Sequence, residues 1–460
     1  MILADYISLH AQRYPDKVAL VCGDDRCTYA DLHARIDRRV ASLRANDGSL
    51  ASYRSLASYG SLGFSRGSLS RGSVHCLRAT PSIDFIVDYF ALHRLGCVAA
   101  PLERDTPESV FAAIAQELGA HTAPEGTADV LYTTGTTGKS KGVMISHRTI
   151  LADAENLIAG QGFSHDLAFV INGPLNHIGS LSKLYPVLML GATAIIVDGI
   201  KDINRFFDAF DFPAPKVATF LVPASIRILI QLSADRLAAL ADRMDFIETG
   251  AAAISQADMQ ALCRLLPHTR LYNTYASTET GIISTYNFND GRCQAGCLGR
   301  PMPHSHLFIT DAGTIACQGD TLMTGYIGDP ERTATVLRDG TLYTSDLGRI
   351  DDEGMLHLAG REDDVINVGG FKVAPTEVED AALSHPAVKD CICIPVEHKI
   401  TGLALKLLVV THDGAPLDKR ALALYLRDRL ETYKVPLLYD TVPSIHRTFN
   451  GKLNRKYYTK

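Results

Sequence analysis

The chain has 460 residues, of which 46% are hydrophobic and 21% charged, and its formal net charge at pH 7 is -6. This length exceeds one ordinary hydrophobic core, so we expect at least two domains. The negative charge argues against nucleic acid or an anionic membrane as the main partner. The N-terminus lacks a basic start followed by an apolar stretch, and no apolar run reaches about 18 residues, so neither secretion nor a membrane span is expected. Ten scattered cysteines without a CxxC pair favour a reduced, cytoplasmic protein.

The order of apolar and polar residues predicts alternating helices and strands through most of the first 360 residues, which is typical of layered α/β structure. Near the N-terminus, Thr28 and Asp31 have the spacing of a capping-box-like helix start. The apolar stripe of this helix consists of Leu32, Ile36, Val40 and Leu43. Further along the chain, strands are expected at 74–77, 194–197, 218–222 and 245–248, and a helix at 83–95.

Residues 46–73 interrupt this pattern with a low-complexity segment rich in Ser, Gly, Leu, Arg and Tyr. Such a composition buries too little apolar surface to fold by itself, so we expect a surface loop without a catalytic role. Its serines and arginines leave a partner-binding segment as the alternative.

The last hundred residues predict a separate small α+β domain. Thr376 and Glu379 have capping-box spacing at the start of a helix that ends before Pro386. Strands are expected at 391–396 and 405–411, and a further helix at 417–433. We therefore expect an N-terminal domain of residues 1–362, which contains the 46–73 insert, and a C-terminal domain of residues 363–460.

The most informative segment is a loop of threonines, glycines and two lysines that follows a strand-like apolar run at 130–132. Hydroxyls and backbone N–H groups at this density suit a polyphosphate, because glycines let the backbone approach a ligand and leave donors unpaired. Gly138, Lys139 and Ser140 would end a Walker A motif. That motif needs a glycine five positions before Gly138, where Thr133 stands, so the loop fails the Walker spacing.

The loop resembles the phosphate loop of the AMP-forming, acyl-activating adenylating enzymes, which include acyl-CoA ligases, peptide-synthetase adenylation domains and luciferase. Ser140 stands where that family usually has proline. Further segments resemble the family's motifs in the same order over nearly the whole chain, with Ala276 in place of a glycine. These segments are 174–179, 249–253, 273–279, 319–331, 344–346, 360–370 and 450–452.

The resemblance implies a large, multi-subdomain N-terminal α/β domain and a small, mobile C-terminal α+β domain. It also implies that a carboxylic acid reacts with ATP to form an acyl-AMP, with Lys452 as the catalytic cation and His177 as the gate of the acyl pocket. Glu279 is implied as a ligand of Mg²⁺. The implied ATP-binding residues are Thr133, Thr134, Gly135, Thr136, Thr137, Lys141, Gly250, Ala251, Ala252, Asn273, Tyr275, Ala276, Ser277, Thr278, Asp346 and Arg361.

For the second step, the resemblance implies a hinge at Asp363 and a thiol tunnel lined by Gly369, Gly370 and Lys372. The expected acceptor is CoA, and the alternative is the phosphopantetheine of a carrier protein. The acyl-pocket segment 174–179 has no carboxylate to pair with a substrate ammonium, which disfavours a free α-amino acid. A non-catalytic nucleotide-binding relative is the further alternative, because Ser140, Ala276 and the 46–73 insert depart from the family pattern.

Overall fold

The computed structural model describes residues 1–45, 69–133, 141–368, 371–399, 402–447 and 453–458. Within these residues, helices and strands form a large N-terminal part and a small C-terminal part. The buried residues of three hydrophobic clusters lie between Leu3 and Leu356, and those of two further clusters lie between Ile366 and Ile445. The domain boundary that the sequence predicts at Asp363 falls between these two sets of clusters and stays a prediction.

The strands of the described residues alternate with helices over much of the chain. In chain order they are β1 (Val18–Cys22), β2 (Asp25–Thr28), β3 (Val74–Arg78), β4 (Val98–Leu102), β5 (Thr127–Thr133), β6 (Lys141–Ser146), β7 (Leu167–Ile171), β8 (Thr193–Ile196), β9 (Lys216–Phe220), β10 (Met244–Thr249), β11 (Arg270–Ser277), β12 (Gly281–Asn287), β13 (Cys297–Pro301), β14 (Ser305–Ile309), β15 (Thr314–Gly319), β16 (Gly325–Tyr326), β17 (Leu337–Arg338), β18 (Thr341–Ile350), β19 (Leu356–Arg361), β20 (Ile366–Val368), β21 (Phe371–Val373), β22 (Val388–His398), β23 (Gly402–Thr411) and β24 (Leu438–Thr441).

The α-helices of the described residues contact the strands of these sheets or one another. In chain order they are α1 (Leu3–Arg13), α2 (Tyr29–Ala45), α3 (Ile83–Leu95), α4 (Glu108–Gly119), α5 (His147–Gln161), α6 (Ile178–Leu181), α7 (Leu184–Leu190), α8 (Ile203–Asp208), α9 (Pro223–Leu232), α10 (Ala234–Ala238), α11 (Gln256–Leu265), α12 (Pro330–Val336), α13 (Pro375–Leu383) and α14 (Lys419–Arg427).

The largest sheet in the described part of the chain has 14 strands. Strands β11, β10, β9, β7, β8 and β1 lie side by side in this order and are parallel. From β11 the sheet continues through antiparallel pairs to β12, β13, β19, β18, β15 and β14. The run of parallel strands places several strand ends at one edge of the sheet, which is where open α/β sheets bind ligands.

A second sheet has the strand order β16, β6, β5, β4, β3. Strands β5 and β6 are antiparallel, with Thr133 paired to Lys141. The two ends of the predicted phosphate loop are therefore neighbours in this sheet.

The small C-terminal part contains the sheet of β22, β23 and β24 and the pair of β20 and β21. Helices α13 and α14 contribute Val378, Ala382, Leu422 and Leu426 to its core. This α+β arrangement and the layered N-terminal part confirm the fold class expected from the sequence. The capping box at Thr28 and Asp31 is also confirmed, because each residue's backbone N–H is bonded to the other's side chain, at 3.4 and 3.1 Å.

Two predictions in the C-terminal part were wrong. Helix α13 begins at Pro375 with Ala374 as its N-cap and no side-chain cap, so Thr376 and Glu379 do not form a capping box. Pro375 suits the first helical position because its missing N–H has no helical partner there. The helix predicted at 417–433 ends at Arg427, and the chain then turns so that Val435 and Tyr439 reach the small core.

The low-complexity segment lies largely outside the described residues, which resume at Leu69. Next to it, Ser73 forms an isolated antiparallel bridge with Thr122. No helix in the described residues is long and apolar enough to cross a membrane.

Candidate functional site

Three of the motif segments identified in the sequence, together with Phe220, lie at one edge of the large sheet. Strands β7, β9, β10 and β11 are parallel neighbours, so their carboxyl ends lie together. His177 follows β7, Phe220 ends β9, the segment 250–252 follows β10, and Glu279 follows β11. The carboxyl edge of a parallel sheet is a usual place for a ligand, because the strand-to-helix loops there can approach it.

The segment after β10 is shaped for close backbone contact. A Cβ atom at Gly250 would lie 2.9 Å from the carbonyl oxygen of Thr274, so only glycine fits without movement of the backbone. Ala251 has a φ of 66°, which is unusual for a residue other than glycine, and its side chain is exposed. Ala252 is half-buried. Strained, exposed backbone of this kind often accompanies a binding site.

A tight turn between β11 and β12 orients Glu279. The hydroxyl of Ser277 accepts a hydrogen bond from the backbone N–H of Thr280 at 3.0 Å, and the hydroxyl of Thr280 accepts one from Ser277 at 2.9 Å. Ala276 and Thr278, like Glu279, are half-buried. The turn therefore fixes the backbone beside Glu279 and leaves the carboxylate partly accessible.

Glu279 is linked to Lys141 through Tyr326. The Tyr326 hydroxyl donates to Oε1 of Glu279 at 3.1 Å, and the Lys141 Nζ lies 5.0 Å from the centroid of the Tyr326 ring. Burial, and then the nearby Arg332 guanidinium, lower the pKa of Lys141, while Glu279 opposes this effect. These contacts place a cation and a carboxylate next to the end of the predicted phosphate loop.

A second group of polar side chains joins β11 to β18 and β19. The Tyr275 hydroxyl donates to Oδ2 of Asp346 at 2.6 Å. The Nε atom of Arg361 lies 3.2 Å from Oδ1 of the same carboxylate and forms an ion pair with it, but the geometry at Nε is not that of a hydrogen bond. Arg361 also donates to the hydroxyl of Ser345 at 2.8 Å. Burial and the adjacent Asp346 raise the pKa of Tyr275 well above its usual value, so the phenol stays protonated.

Other predicted site residues have structural contacts of their own. The side-chain amide of Asn273 is buried and donates to the Cys297 carbonyl at 3.1 Å, which ties β11 to β13. His177 is half-buried and precedes α6, and its carbonyl accepts from the backbone N–H of Leu181 at 2.9 Å. A role for Asn273 in ATP binding stays a prediction, and so does the gating role of His177.

The structure adds two aromatic residues to which the sequence analysis gave no role. Tyr326 lies in a motif identified in the sequence, but its contact with Glu279 spans 47 positions. Phe220 lies between two predicted site segments, because Cβ atoms added to Gly179 and Gly250 would lie 3.5 and 3.7 Å from its ring. No sequence pattern near Phe220 indicates this contact; only its place within the predicted strand 218–222 gives a signal.

A buried ion pair lies beside Phe220. Lys183 Nζ lies 2.8 Å from Glu248 Oε1 and 5.2 Å from the centroid of the Phe220 ring, and both charged side chains are 1% exposed. The pair joins the chain after α6 to the end of β10. It therefore fixes the predicted acyl-pocket segment relative to the segment that starts at Gly250.

Several predicted site residues lie outside the described residues, namely Thr134, Gly135, Thr136, Thr137, Gly369, Gly370 and Lys452. The side chains of Thr133, Asp363 and Lys372 are also not described. The backbone of Asp363 lies in the short 3-10 helix Glu362–Asp364, between β19 and β20. In the described part of the chain, no group of three or more His, Cys, Asp or Glu residues could hold a metal ion.

Comparison with protein families identifies two matching regions. The model for AMP-binding enzymes matches residues 117–327, and the model for the C-terminal domain of AMP-binding enzymes matches residues 377–452.

Curated relatives include three CoA ligases or synthases. A long-chain-fatty-acid–CoA ligase of Bacillus subtilis is 30% identical over 354 residues, which cover 72% of this chain and 61% of that ligase. Feruloyl-CoA synthase of an Amycolatopsis species is 31% identical over 350 residues, which cover 72% of this chain and 69% of that synthase. Indoleacetate–CoA ligase of Aromatoleum aromaticum is 27% identical over an alignment of 521 positions, which covers 99% of this chain and 97% of that ligase. The chain thus spans 61% of the length of the first of these relatives.

Solved structures share the fold. ATP-bound MatB from Rhodopseudomonas palustris superposes with a TM-score of 0.82 at 24% identity, covering 100% of this chain and 98% of MatB. O-succinylbenzoate coenzyme A synthetase (MenE) from Bacillus subtilis in complex with AMP gives a TM-score of 0.79 at 22% identity. The superposition covers 99% of this chain and 98% of MenE. At these identities the likeness concerns the fold alone.

Proposed function

Because the chain belongs to the family of AMP-binding enzymes, we propose that it is an ATP-dependent, AMP-forming acid–thiol ligase. It activates a carboxylic acid as acyl-AMP, releases pyrophosphate, and transfers the acyl group to the thiol of CoA. The observation that carries the proposal is the presence of two polar groups in contact: Tyr275 with Asp346 and Arg361, and Glu279 with Lys141 through Tyr326.

In the proposed site, the first polar group binds the nucleoside of ATP. The Asp346 carboxylate accepts hydrogen bonds from the ribose hydroxyls, and the hydrogen bond from Tyr275 holds it in place. Arg361 supplies donors near the ribose and the α-phosphate, where the guanidinium geometry suits oxygen acceptors. The backbone at Ala251, which is exposed, and at Ala252, which is half-buried, lies against the adenine.

The second polar group acts on the phosphates. Lys141 and the loop residues 133–137 bind the β- and γ-phosphates, and Glu279 is the side chain that would hold Mg²⁺. A half-buried carboxylate next to a phosphate loop fits this ion, because Mg²⁺ prefers oxygen ligands and usually shares one or two carboxylates with substrate phosphates. When bound, Mg²⁺ neutralises phosphate charge.

The first chemical step joins two negatively charged reactants. A carboxylate oxygen attacks the α-phosphorus and forms a new P–O bond. The bond between the α-phosphorus and the oxygen that bridges it to the β-phosphate breaks, and pyrophosphate leaves with the electron pair. In this proposal Lys452 lies between the carboxylate and the α-phosphate and stabilises the charge that develops there. In the second step a thiolate attacks the acyl carbon and AMP leaves.

The second step takes place after the C-terminal domain has turned about Asp363. Gly369, Gly370 and Lys372 then line the path of the pantetheine arm. His177 and Phe220 lie at the acyl side of the site, and no carboxylate in 174–179 is available for a substrate ammonium. An aliphatic or aromatic acid is therefore the proposed substrate class, in line with the names of the fatty-acid, feruloyl and indoleacetate relatives.

The proposal is tested by product analysis. The full chain is incubated with ATP and Mg²⁺ and a panel of fatty, arylacetic, hydroxycinnamic and amino acids, with and without CoA, and products are identified by mass. We expect AMP, pyrophosphate and an acyl-CoA from at least one aliphatic or aromatic acid. Acyl-AMP without acyl-CoA would contradict CoA as the acceptor and indicate a carrier protein. Binding of ATP without pyrophosphate release from any acid would contradict the ligase assignment.

A further inference from the structure

The segment that carries Lys452 is closed at its base by backbone pairing. Arg447 and Leu453 form an antiparallel bridge, and the backbone N–H of Asn454 donates to the His446 carbonyl at 3.0 Å. Residues 448–452 lie outside the described residues, and the bridge joins the residues on either side of them, Arg447 and Leu453. Leu453 follows Lys452 directly in the sequence, so this base is the described structure nearest to Lys452 along the chain.

One end of the segment is anchored inside the small C-terminal part. Arg455 Nη2 donates to Glu379 Oε2 at 2.8 Å, and Nη1 donates to the Cys393 carbonyl at 3.0 Å. The Glu379 side chain is 5% exposed and also accepts from the backbone N–H of Cys393 at 2.7 Å. This charged, hydrogen-bonded group ties Arg455 to α13 and β22.

The other end is anchored at a site that also reaches the large N-terminal part. Arg447 Nη2 donates to both oxygens of Asp390 on β22, at 2.8 and 2.9 Å. Oδ1 of the same carboxylate lies 3.5 Å from Nη1 of Arg227 on α9. Asp390 therefore stands between an arginine at the base of the Lys452 segment and an arginine of the N-terminal part.

Contacts with Asp258, within the N-terminal part, hold the Arg227 side chain next to Asp390. Its Nε and Nη2 both donate to Oδ2 of Asp258, at 3.0 and 2.7 Å, and the Ser255 hydroxyl donates to the same oxygen at 2.8 Å. The Arg227 side chain is 20% exposed, so its charge is only partly screened by water. Helix α9 starts three residues after β9 ends at Phe220, so Arg227 lies on the helix that follows one of the strands at the candidate site.

We propose that Arg227, acting through Asp390, is a positioning residue that docks the base of the Lys452 segment on the large domain for acyl-AMP formation. The inference rests on the function proposed above. Arginine suits this role because its fork of donors can hold Asp258 with one side and reach Asp390 with another. In the function proposed above, Lys452 acts in acyl-AMP formation, so docking is expected to serve that half-reaction and not the transfer to the thiol.

The test compares Arg227→Ala with Arg227→Lys and with Arg292→Ala, a matched control. Arg292 is exposed and its ion pair with Glu353, at 2.7 Å, lies within the N-terminal part. Adenylation is measured by ATP–pyrophosphate exchange, and thioester formation by adding CoA to a synthetic acyl-AMP. Amide exchange of residues 453–458 is followed in parallel, and thermal melting verifies that each variant is folded.

Arg227→Ala is expected to lower kcat of adenylation by about 10- to 100-fold, the range that follows from misplacing a catalytic group. KM for ATP and the rate of thioester formation should change less than about twofold, amide exchange at 453–458 should increase, and Arg227→Lys should recover part of the loss. Asp390→Asn leaves the pair of Arg227 with Asp258 intact. This variant should likewise slow adenylation and leave the rate of thioester formation nearly unchanged.

Equal loss in both half-reactions, or unchanged adenylation together with unchanged amide exchange, would overturn the docking role. Absence of acyl-AMP formation by the unmodified chain and by Arg292→Ala would instead overturn the proposed function. Amide exchange does not depend on turnover, so the docking contact is tested in either case.

Discussion

The hydroxyl of Tyr275 donates a 2.6 Å hydrogen bond to Oδ2 of Asp346, across 71 positions of the chain. This contact fixes the carboxylate of β18 beside the end of β11, and Arg361 lies on the other oxygen. The carboxylate that we propose for ribose binding is thus oriented before ATP arrives. Orientation in advance reduces the ordering cost of binding.

Tyr275→Phe is expected to raise KM for ATP by about three- to tenfold. Loss of one hydrogen bond to a charged group costs about 1.5–3 kcal/mol, and only part of this free energy contributes to ATP binding. The matched control is Tyr286→Phe on β12, which removes a hydroxyl that donates to Oδ1 of Asp290 at 3.0 Å. Steady-state kinetics should show the increase in KM for Tyr275→Phe alone. The same increase in both variants would contradict a specific role of Tyr275.

Glu279→Gln is expected to raise the Mg²⁺ concentration needed for half-maximal adenylation by about tenfold or more, because an amide oxygen is a weaker ligand than a carboxylate for a hard cation. The exposed Glu331 on α12 provides the control substitution Glu331→Gln. Titration of pyrophosphate release with Mg²⁺ measures the effect. An unchanged Mg²⁺ requirement would argue that Glu279 only orients Tyr326.

Lys452→Ala is expected to slow adenylation by about 100-fold or more, which is typical of removing one key donor to the transition state. The reaction of a synthetic acyl-AMP with CoA should be nearly unaffected. Lys419→Ala, in which an exposed lysine paired with Asp440 is lost, should leave both half-reactions unchanged. Equal loss in the two half-reactions of Lys452→Ala would contradict the role of Lys452 as the adenylation cation.

Asp363→Pro is expected to retain adenylation and lose thioester formation. Proline fixes φ near −65°, whereas a hinge residue must change its backbone angles as the domain turns. Single-turnover measurements of each half-reaction separate the two effects. Thioester formation at the unmodified rate would place the hinge elsewhere.

The buried carboxyl of Asp153 on α5 predicts a pH dependence of stability. Its Oδ1 accepts from the backbone N–H of Ile282 at 2.8 Å, and burial raises its pKa to about 8. Between about pH 4 and 8, the folded chain therefore holds a proton that the unfolded chain has released. The free energy of unfolding should fall as pH rises through this window, by at most about 1.4 kcal/mol per pH unit from this group.

Asp153→Asn removes the titrating group and should flatten this part of the profile. Denaturant unfolding of both proteins at pH 5, 6.5 and 8 measures the difference. Stability of the unmodified chain that rises relative to the variant between pH 5 and 8 would contradict the sign of the pKa shift.

Local sequence patterns predicted the local structure well. The stripe of Leu32 and Ile36 is buried as expected, and the helix at 83–95 has the predicted bounds. Motif order also led to the correct family. The failures come from contacts between distant residues: Glu379 was assigned to a helix cap, but its carboxylate is bonded to Arg455, 76 positions away.

The candidate site shows the same limit. The sequence identified Glu279, Asp346 and Arg361 by their motifs, but not the contacts that orient them. Tyr326 reaches Glu279 over 47 positions, and Arg227 reaches Asp390 over 163. Such pairs depend on how the strands are arranged in the sheet, and no local periodicity encodes that arrangement.

In the proposed reaction, the substrate carboxylate attacks the α-phosphorus of ATP. The most direct test uses a substrate acid with both carboxylate oxygens labelled as ¹⁸O, together with ATP, Mg²⁺ and CoA, and determines the label in the products by mass spectrometry. We predict AMP that contains one ¹⁸O atom and an acyl-CoA that retains the other. Unlabelled AMP, or ADP and labelled inorganic phosphate, would contradict the account.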